Sequence, residues 1–381
     1  MSSLLSVRIL FAGGGTGGHL YPAIAIANRI SELLKDNANV NIAFVGTKRG
    51  LEYRIKDNLG YPLHLINMRG ISRSLAPINL LIPFVLIIGL LQSAILLKKF
   101  RPDLVVGTGG YVSWPVLKMA AMLGIITVLQ EQNSFPGIAT RSGAKKAKRI
   151  YLGFEDAARF LSDSSNAIVT GNPVRSEIGH GSKQKAIGQF KLHPDKKTIL
   201  VLGGSQGARA INNAVLKSLE SNKWAGDAQL LWQTGKRDYK DVTAKVSELQ
   251  WDGALFPFAN NMQDIYAAAD IVVARAGALT LAELTACGLP SILIPYPFAA
   301  GDHQRKNAES LSARNSAVVI DENDLSEKDI LVEAAELLRS PKIAEMKSAV
   351  IKLIEGKRPA VDVISEDIIS IIKKTKQVER V

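Results

Sequence analysis

The chain has 381 residues, 47% hydrophobic and 22% charged, which excludes a disordered polypeptide and is long enough for two domains. Its 47 Lys and Arg exceed its 35 Asp and Glu, and the net charge of +12 favours an anionic partner. Few aromatic residues (6%) and no recognisable nucleic-acid-binding module argue against nucleic acid as that partner. The single Cys287 excludes an intramolecular disulfide and suits a reducing compartment.

The secondary-structure pattern is a regular alternation of strands and helices. β-Branched runs without polar alternation are typical of parallel strands buried on both faces, and the helical patterns between them predict right-handed crossovers. The strands predicted in chain order span residues 7–12, 40–45, 63–67, 104–106, 125–129, 150–152, 167–170, 198–202, 229–233, 254–256, 271–274, 291–294 and 317–320. The predicted fold class is α/β, with doubly wound parallel sheets.

The pattern of strand, glycine cluster and helix begins twice, at residues 7–18 and again at residues 198–207. We therefore predict two Rossmann-like domains. The predicted boundaries are 1–174 for the first domain, 175–356 for the second, and 357–381 for a C-terminal helix that packs back on the first domain. The first strand begins without a basic segment and an apolar segment before it, so we expect no signal peptide.

Three glycine-rich turns follow predicted strands, at residues 13–18, 107–110 and 203–207. Glycine lets the backbone approach a ligand, and the helix that follows presents free N–H groups to an anion. Ligands of open α/β sheets bind at the carboxyl ends of the strands, so we expect two such edges to face each other across a cleft. Residues 45–48 (Val-Gly-Thr-Lys) lack the acidic residue of a dinucleotide site, which disfavours NAD.

A fourth turn, at residues 274–283, has the features of a nucleotide site. Gly277 follows a strand, and the helix that begins near Ala278 presents its first amides to a diphosphate. Glu283 lies about a turn and a half into that helix, where a carboxylate can accept hydrogen bonds from both hydroxyls of a ribose. The loop after the next strand carries Gln304 to the same edge.

Six motifs are spread over nearly the whole chain. They are residues 13–23 (GGGTGGHLYPA), 109–113 (GGYVS), 131–133 (EQN), 171–175 (GNPVR), 203–209 (GGSQGAR) and 275–283 (RAGALTLAE). In these motifs the chain resembles the MurG family, the peptidoglycan glycosyltransferases that convert lipid I to lipid II. The resemblance implies a GT-B fold, with the acceptor on the first Rossmann-like domain and the donor mainly on the second.

The resemblance also implies an activity and a location. Family members transfer N-acetylglucosamine from UDP-N-acetylglucosamine to the C4 hydroxyl of the muramyl sugar of lipid I, with inversion. The expected partners are UDP-N-acetylglucosamine, undecaprenyl-linked lipid I, an anionic membrane surface, and other proteins of cell-wall synthesis and division. The expected location is the cytoplasmic face of the bacterial inner membrane, as a peripheral protein.

Site residues follow from the resemblance position by position. Thr16, Gly17 and Gly18 would approach the donor, Tyr111 would contact the acceptor, and Asn133 would contact the N-acetylglucosamine. Contacts to the nucleotide, the phosphates or the donor sugar are implied for Arg175, Ser205, Gln206, Ala259, Ala278, Leu279, Thr280, Glu283 and Gln304. One position departs from the family pattern, because Thr140 stands where members usually have Asn.

A single displacement needs a base beside the acceptor hydroxyl and positive charge beside the leaving diphosphate. His19 is the candidate base because an imidazole is largely neutral at cytoplasmic pH, and Glu131 is the alternative base or an acceptor contact. The five histidines show no paired metal-ligand spacing, and no Asp-x-Asp triplet occurs. We expect no obligatory metal in the donor site, although a divalent ion could assist through the acceptor's pyrophosphate.

Residues 75–97 form an uncharged, mostly apolar run that is long enough to cross a bilayer. A crossing would place two loops of one sheet edge on opposite sides of the membrane, so we predict a helix with one face on the sheet and one in the membrane interface. The predicted membrane contacts are Leu75, Ile78, Leu81, Ile82, Val85, Lys98 and Lys99. A buried core helix or a dimer surface is the alternative.

Other functions share the predicted fold. One is a glycolipid transferase with another acceptor, and a second is a UDP-N-acetylglucosamine 2-epimerase, which needs no membrane contact. A third is a nucleotide-sugar-binding subunit without catalysis. The first-domain motifs at residues 109–113 and 131–133 favour lipid I as the acceptor.

Overall fold

The computed structural model describes residues 5–70, 82–204, 207–221, 223–224, 226, 228–259 and 261–378. The chain forms two compact units: Met1–Val174 with Arg358–Val381, and Arg175–Lys357.

The first unit contains a seven-stranded parallel sheet in the order β3-β2-β1-β4-β5-β6-β7. Its strands are β1 (Leu5–Gly13), β2 (Ala38–Gly46), β3 (Leu63–Leu65), β4 (Leu104–Gly109), β5 (Ile126–Glu131), β6 (Arg149–Leu152) and β7 (Ala167–Val169). Its helices are α1 (Gly17–Leu34), α2 (Leu51–Arg54), α3 (Ile82–Phe100), α4 (Ser113–Met122), α5 (Ile138–Gly143) and the C-terminal α14 (Ala360–Val378). Apolar side chains of β1 are buried on both faces, as parallel strands between two helical layers require.

The second unit contains a six-stranded parallel sheet in the order β10-β9-β8-β11-β12-β13. Its strands are β8 (Lys197–Leu202), β9 (Ala228–Gln233), β10 (Gly253–Phe256), β11 (Ile271–Ala274), β12 (Ser291–Leu293) and β13 (Ala317–Val319). Its helices are α6 (Lys183–Phe190), α7 (Arg209–Ser221), α8 (Tyr239–Val246), α9 (Met262–Ala268), α10 (Ala278–Ala286), α11 (His303–Ser312), α12 (Ile330–Arg339) and α13 (Lys342–Ile354). The buried core includes side chains of β8, β11, α7 and α12.

The predicted fold class is confirmed, because both sheets are parallel and doubly wound, and each predicted strand overlaps an observed one. The strand order adds what the sequence pattern did not contain. In the first sheet, successive strands extend to one side from β1 to β3 and to the other side from β4 to β7, so the strand order reverses between β1 and β4. In the second sheet it reverses in the same way between β8 and β11. Ligands of open α/β sheets bind beside such a reversal, at the carboxyl ends of the strands.

The C-terminal helix α14 belongs to the first unit and packs beside α1. Ile364 and Ile368 are fully buried in the core that β1 and α1 also form. Asp362 accepts a 2.7 Å ion-paired hydrogen bond from Arg29 on α1. Asp367 accepts hydrogen bonds from Arg149 (2.9 Å) and from Tyr151 (3.0 Å), so polar as well as apolar contacts attach this helix.

Helix α3 presents an apolar face to solvent. Its exposed apolar residues are Phe84, Ile87, Ile88, Leu91 and Ile95, each between 45% and 67% exposed. Their spacing places them on one side of the helix. Lys98 and Lys99 are exposed at its end, and their contact with a membrane stays a prediction.

Val85, one of the predicted membrane contacts, lies beside the exposed face of α3 and not on it. Val85 is half-buried and packs against the core of the first unit, because it lies about 120° around α3 from Leu91, between the exposed face and the buried one. Leu75, Ile78 and Leu81 lie outside the described residues, as does the side chain of Ile82.

One described helical segment, Pro83–Phe100, has the length and mean hydropathy (1.7) of a membrane span, with 22% of it buried. Its helix lies between β3 and β4, which belong to one sheet. A crossing would separate strands of the same sheet by a bilayer, so length and composition alone are misleading here.

Candidate active site

The glycine-rich turn between β1 and α1 is organised by a buried carboxylate. Glu52, which is fully buried, accepts hydrogen bonds from the backbone N–H of Gly15 (2.8 Å) and from that of Thr47 (2.9 Å). A Cβ atom at Gly14 would lie 2.6 Å from Glu52 Oε2, and one at Gly50 would overlap the same carboxylate. These glycines therefore make room for Glu52, which ties β2 and α2 to the turn.

His19 lies in the first turn of α1, beside the carboxyl end of β4. Its Nδ1 atom is 3.0 Å from the backbone oxygen of Thr108 and 2.9 Å from Oε1 of Gln132. Both partners are acceptors, so Nδ1 carries the proton and donates, and Nε2 is the nitrogen with the free lone pair. Gly109 has a φ of +96°, and a Cβ there would lie 2.7 Å from His19 Nδ1, so only glycine allows this close approach.

Tyr111 packs against the same turn. Its hydroxyl is 3.0 Å from the hydroxyl of Thr47, and its ring covers Gly15. The structure thus brings Thr16, Gly17, Gly18, His19 and Tyr111 to one edge of the first sheet.

Glu131 organises the loop that follows β5. It is 3% exposed, and one carboxylate oxygen accepts hydrogen bonds from the backbone and side-chain N–H groups of Asn133, at 3.1 and 3.3 Å. The other oxygen accepts from the backbone of Gly137 (3.0 Å) and from the Thr140 hydroxyl (2.6 Å). With four donors on its two oxygens, Glu131 is better described as the residue that shapes the Asn133 loop than as the alternative base. Thr140, which stands where family members usually have Asn, donates a hydrogen bond from its hydroxyl to that carboxylate.

The second unit places a helix N-terminus at the carboxyl end of β11. Gly277 caps α10, and the amides of Ala278, Leu279 and Thr280 belong to the first turn, where N–H groups have no partner within the helix. Ala278 is buried, whereas Leu279 and Thr280 are half-buried. Partial positive charge and free donors at this terminus suit a diphosphate.

Glu283 lies behind that terminus, on α10. Its Oε2 accepts a 2.8 Å hydrogen bond from the hydroxyl of Tyr266, and its Oε1 lies 3.8 Å from Nη2 of Arg175. Burial raises the pKa of the Glu283 carboxyl above its ordinary value, against the opposing effects of Tyr266 and Arg175. The pKa of Tyr266 is also raised well above its ordinary value, first by burial and then by the carboxylate. Tyr266 therefore remains a neutral donor to Glu283.

The remaining predicted donor residues lie along the same edge. Ala259 follows β10 and is 9% exposed, beside Phe258, whose ring lies 5.4 Å from the Lys236 ammonium. Gln304 is the second residue of α11 and accepts a 3.0 Å hydrogen bond from the backbone N–H of Tyr296. Ser205 and Gln206 lie outside the described residues.

Segments of both units match one family of glycosyltransferases. Residues 9–152 match the N-terminal domain of glycosyltransferase family 28, and residues 198–364 match its C-terminal domain. A relative from Chlorobaculum parvum, a UDP-N-acetylglucosamine--N-acetylmuramyl-(pentapeptide) pyrophosphoryl-undecaprenol N-acetylglucosamine transferase, is 45% identical over 87% of this chain and 90% of its own length. A Thermoanaerobacter relative with the same description is 40% identical over 88% of this chain and 92% of its own length.

The chain belongs to the MurG family of glycosyltransferases.

Solved structures show the fold that the MurG family shares with other enzymes. The crystal structure of Acinetobacter baumannii MurG has a TM-score of 0.73 and 24% identity, covering 97% of this chain and 99% of that one. A putative UDP-N-acetylglucosamine 2-epimerase from Listeria monocytogenes has a TM-score of 0.63 and 13% identity, covering 99% and 97%. Both likenesses show the two-sheet fold alone. The identity to transferases is therefore what separates the MurG family from the epimerases.

Three residues of the site were missed by sequence reasoning: Glu52, Gln132 and Tyr266. Gly46 and Gly50 lie on either side of the turn before Glu52, and neither has a positive φ that would require glycine. These two glycines were the available sequence signal for Glu52. Gln132 lies inside the motif at residues 131–133, in which the resemblance implies roles only for Glu131 and Asn133. Tyr266 lies on a different helix from Glu283, and the sequence around Tyr266 does not indicate that the two side chains are in contact. Among the residues that the structure describes, no three His, Cys, Asp or Glu side chains group as metal ligands.

Proposed function

We propose that this chain transfers N-acetylglucosamine from UDP-N-acetylglucosamine to the C4 hydroxyl of the muramyl sugar of lipid I, with inversion, to form lipid II. Two kinds of support carry the proposal. The descriptions of its relatives name a UDP-N-acetylglucosamine donor and a pyrophosphoryl-undecaprenol acceptor. In this chain the most important observation is that Nδ1 of His19 donates a hydrogen bond, which leaves Nε2 to accept a proton.

The donor is proposed to bind along the carboxyl edge of the second sheet. The first amides of α10, at Ala278, Leu279 and Thr280, would hold the diphosphate, with Arg175 contributing positive charge. Glu283 would accept hydrogen bonds from the ribose hydroxyls, and Tyr266 fixes the orientation of its carboxylate. Further proposed contacts are the Ala259 backbone to uracil, Gln304 to the sugar hydroxyls, and Ser205 and Gln206 to the nucleotide or diphosphate.

The acceptor side is proposed to lie at the carboxyl edge of the first sheet. Thr16, Gly17 and Gly18 would approach the donor sugar, Asn133 would contact the N-acetylglucosamine, and Tyr111 would contact the acceptor. Glu131 contributes by holding the backbone and side chain of Asn133.

In the proposed step, the acceptor C4 oxygen attacks C1 of the donor sugar while the bond from C1 to the diphosphate oxygen breaks. The hydroxyl proton passes to Nε2 of His19, and UDP leaves with the bonding electron pair. The first amides of α10 and Arg175 would stabilise the charge that develops on the diphosphate, and no metal in the donor site is part of this proposal. General-base catalysis of this kind contributes about 10²- to 10⁴-fold in rate.

The lipid-linked acceptor requires contact with a membrane. We propose that the exposed apolar face of α3, from Phe84 to Ile95, lies in the interface of the cytoplasmic leaflet, where Lys98 and Lys99 attract anionic head groups. The chain would then act as a peripheral protein of the bacterial inner membrane.

The test is transfer of radiolabel from UDP-N-acetylglucosamine to a short-chain lipid I analogue, with UDP-N-acetylgalactosamine as the donor control. We expect a labelled disaccharide lipid and stoichiometric UDP only with the first donor. Conversion of UDP-N-acetylglucosamine to its 2-epimer without lipid acceptor, and no labelled lipid, would replace the transferase with the epimerase.

A further inference from the structure

Behind His19 lies a row of three buried side-chain amides: Gln132, Gln130 and Asn172. Gln130 is fully buried, and Gln132 and Asn172 are 2% and 9% exposed. Buried amides are costly unless their donors and acceptors are paired, so their arrangement carries information about function.

The orientation of all three amides follows from one backbone group. The backbone oxygen of Gln132 can only accept, so the Asn172 atom 2.8 Å away is the Nδ2 donor. Its Oδ1 then accepts the 3.0 Å hydrogen bond from Nε2 of Gln130. The Oε1 of Gln130 is left to accept from Nε2 of Gln132. The same Nε2 also lies 2.9 Å from the backbone oxygen of Thr108 and 3.0 Å from that of Gln130.

Gln132 is therefore fixed in one of its two possible orientations. Its amide nitrogen faces three oxygens, so its Oε1 faces His19 and accepts from Nδ1 at 2.9 Å. We propose that Gln132 is a positioning residue that keeps the proton of His19 on Nδ1 and so leaves Nε2 ready to accept the proton of the attacking hydroxyl. This inference deepens the proposed function and rests on it.

The chemistry of the site explains why an amide occupies position 132. A carboxylate there could accept from His19, but its second oxygen would face the oxygens of Thr108 and Gln130. Only an amide accepts at one end and donates at the other. When Nε2 of His19 takes the acceptor's proton, the imidazolium keeps its Nδ1–H bond to Gln132, and Gln132 itself gains or loses no proton.

The titratable groups on neighbouring elements have partners of their own. Glu52 bonds to the backbone of Gly15 and Thr47, Glu131 bonds to the loop after β5, and the Tyr111 hydroxyl bonds to Thr47. Within the described part of the chain, Gln132 is thus the side chain that accepts from Nδ1 of His19, and it favours the same tautomer as the backbone oxygen of Thr108.

The test combines nitrogen-15 NMR of the histidine rings with steady-state kinetics on the full chain. Gln132→Met removes the amide at similar length, and Gln189→Met makes the same change on the exposed face of α6, outside the site. The His19 signals are assigned by their loss in His19→Asn. In the wild type at neutral pH we expect the Nδ1–H form to dominate, and in Gln132→Met we expect the Nε2–H form, which free imidazole side chains favour, to increase.

Kinetically, Gln132→Met should lower kcat about 10- to 100-fold, less than the roughly 10⁴-fold cost of losing a sole orienting partner, because Thr108 still accepts from Nδ1. The KM for UDP-N-acetylglucosamine should change less than about threefold, since uniform binding is unaffected. Gln189→Met should match the wild type.

A wild-type spectrum dominated by Nε2–H would overturn the proposal, even if Gln132→Met fails to fold. Unchanged kcat and tautomer in a folded Gln132→Met would also overturn it. These outcomes differ from failure of the proposed function. In that case the wild type transfers no sugar, but NMR still reports the tautomer of its His19.

Discussion

Oε2 of Glu52 lies 2.8 Å from the backbone nitrogen of Gly15, in a contact that joins a fully buried carboxylate to the glycine-rich turn. The second oxygen binds the backbone nitrogen of Thr47 in the same way. Because hydrogen bonds to a charged acceptor are stronger than neutral ones, this carboxylate holds the turn and the end of β2 together. The position of His19 thus depends on a residue more than 30 positions away in the chain.

Glu52→Gln should destabilise the first unit. The new amide would place N–H groups against a backbone N–H and leave a buried donor unpaired, at a cost of about 2 kcal/mol in the free energy of unfolding. Chemical denaturation measures this, with Glu32→Gln as the control, because Glu32 is 68% exposed and should change stability by less than about 0.5 kcal/mol. Equal stability of the two variants would show that the carboxylate charge is not needed.

The C-terminal helix should contribute strongly to the stability of the first unit. Ile368→Ala removes a fully buried side chain of α14 and should cost about 2–5 kcal/mol. Ile95→Ala makes the same change at a residue 67% exposed and should stay within about 0.5 kcal/mol of the wild type. Similar unfolding midpoints for both variants would mean that α14 does not pack on this core in solution.

Glu283 should give the second unit a measurable pH dependence. Burial raises its folded-state pKa, so its contribution to stability is present below the unfolded pKa of about 4.3 and is lost as pH rises through the folded value. Glu283→Gln keeps an acceptor for Tyr266 and cannot ionise. Its free energy of unfolding, relative to the wild type, should therefore increase from about pH 4 to pH 7.

Tyr266→Phe provides the control for this pH dependence. The Tyr266 hydrogen bond lowers the folded-state pKa of Glu283, so its removal should extend the loss of stability to higher pH. If the free energy of unfolding of Glu283→Gln differs from that of the wild type by a constant amount between about pH 4 and pH 7, the result would contradict a raised pKa of Glu283.

The exposed face of α3 should govern binding to anionic vesicles. Leu91→Ser with Ile95→Ser removes two side chains that are 60% and 67% exposed, so vesicle binding should fall while stability is nearly unchanged. Val85→Ala should do the reverse, because Val85 packs against the core. Vesicle sedimentation and thermal unfolding distinguish the two effects.

Electrostatic attraction is tested on the same helix. Charge reversal at Lys98 and Lys99 should remove about 1 kcal/mol of vesicle affinity per residue, with a larger effect at low salt. Vesicle binding that survives both the apolar and the charged variants would move the membrane contact to another surface.

The strands could be predicted because buried parallel strands carry a strong local signal, and all of them overlap the observed ones. The burial of individual side chains on α3 could not, since a helix that is apolar all round does not reveal which side faces the core. Val85 illustrates this, since it is only partly buried against the core, and its predicted membrane contact stays a prediction. Glu52, Gln132 and Tyr266 could not be predicted because each acts through a contact with a residue far away in the sequence. Only the fold brings such partners together.

The central claim is that His19 takes the acceptor's proton, and single-turnover transfer by His19→Ala tests it most directly. With UDP-N-acetylglucosamine binding measured in parallel, we expect the rate of sugar transfer to fall about 10²- to 10⁴-fold while donor affinity stays within about twofold. A transfer rate equal to that of the wild type, with the lipid product unchanged, would contradict the account.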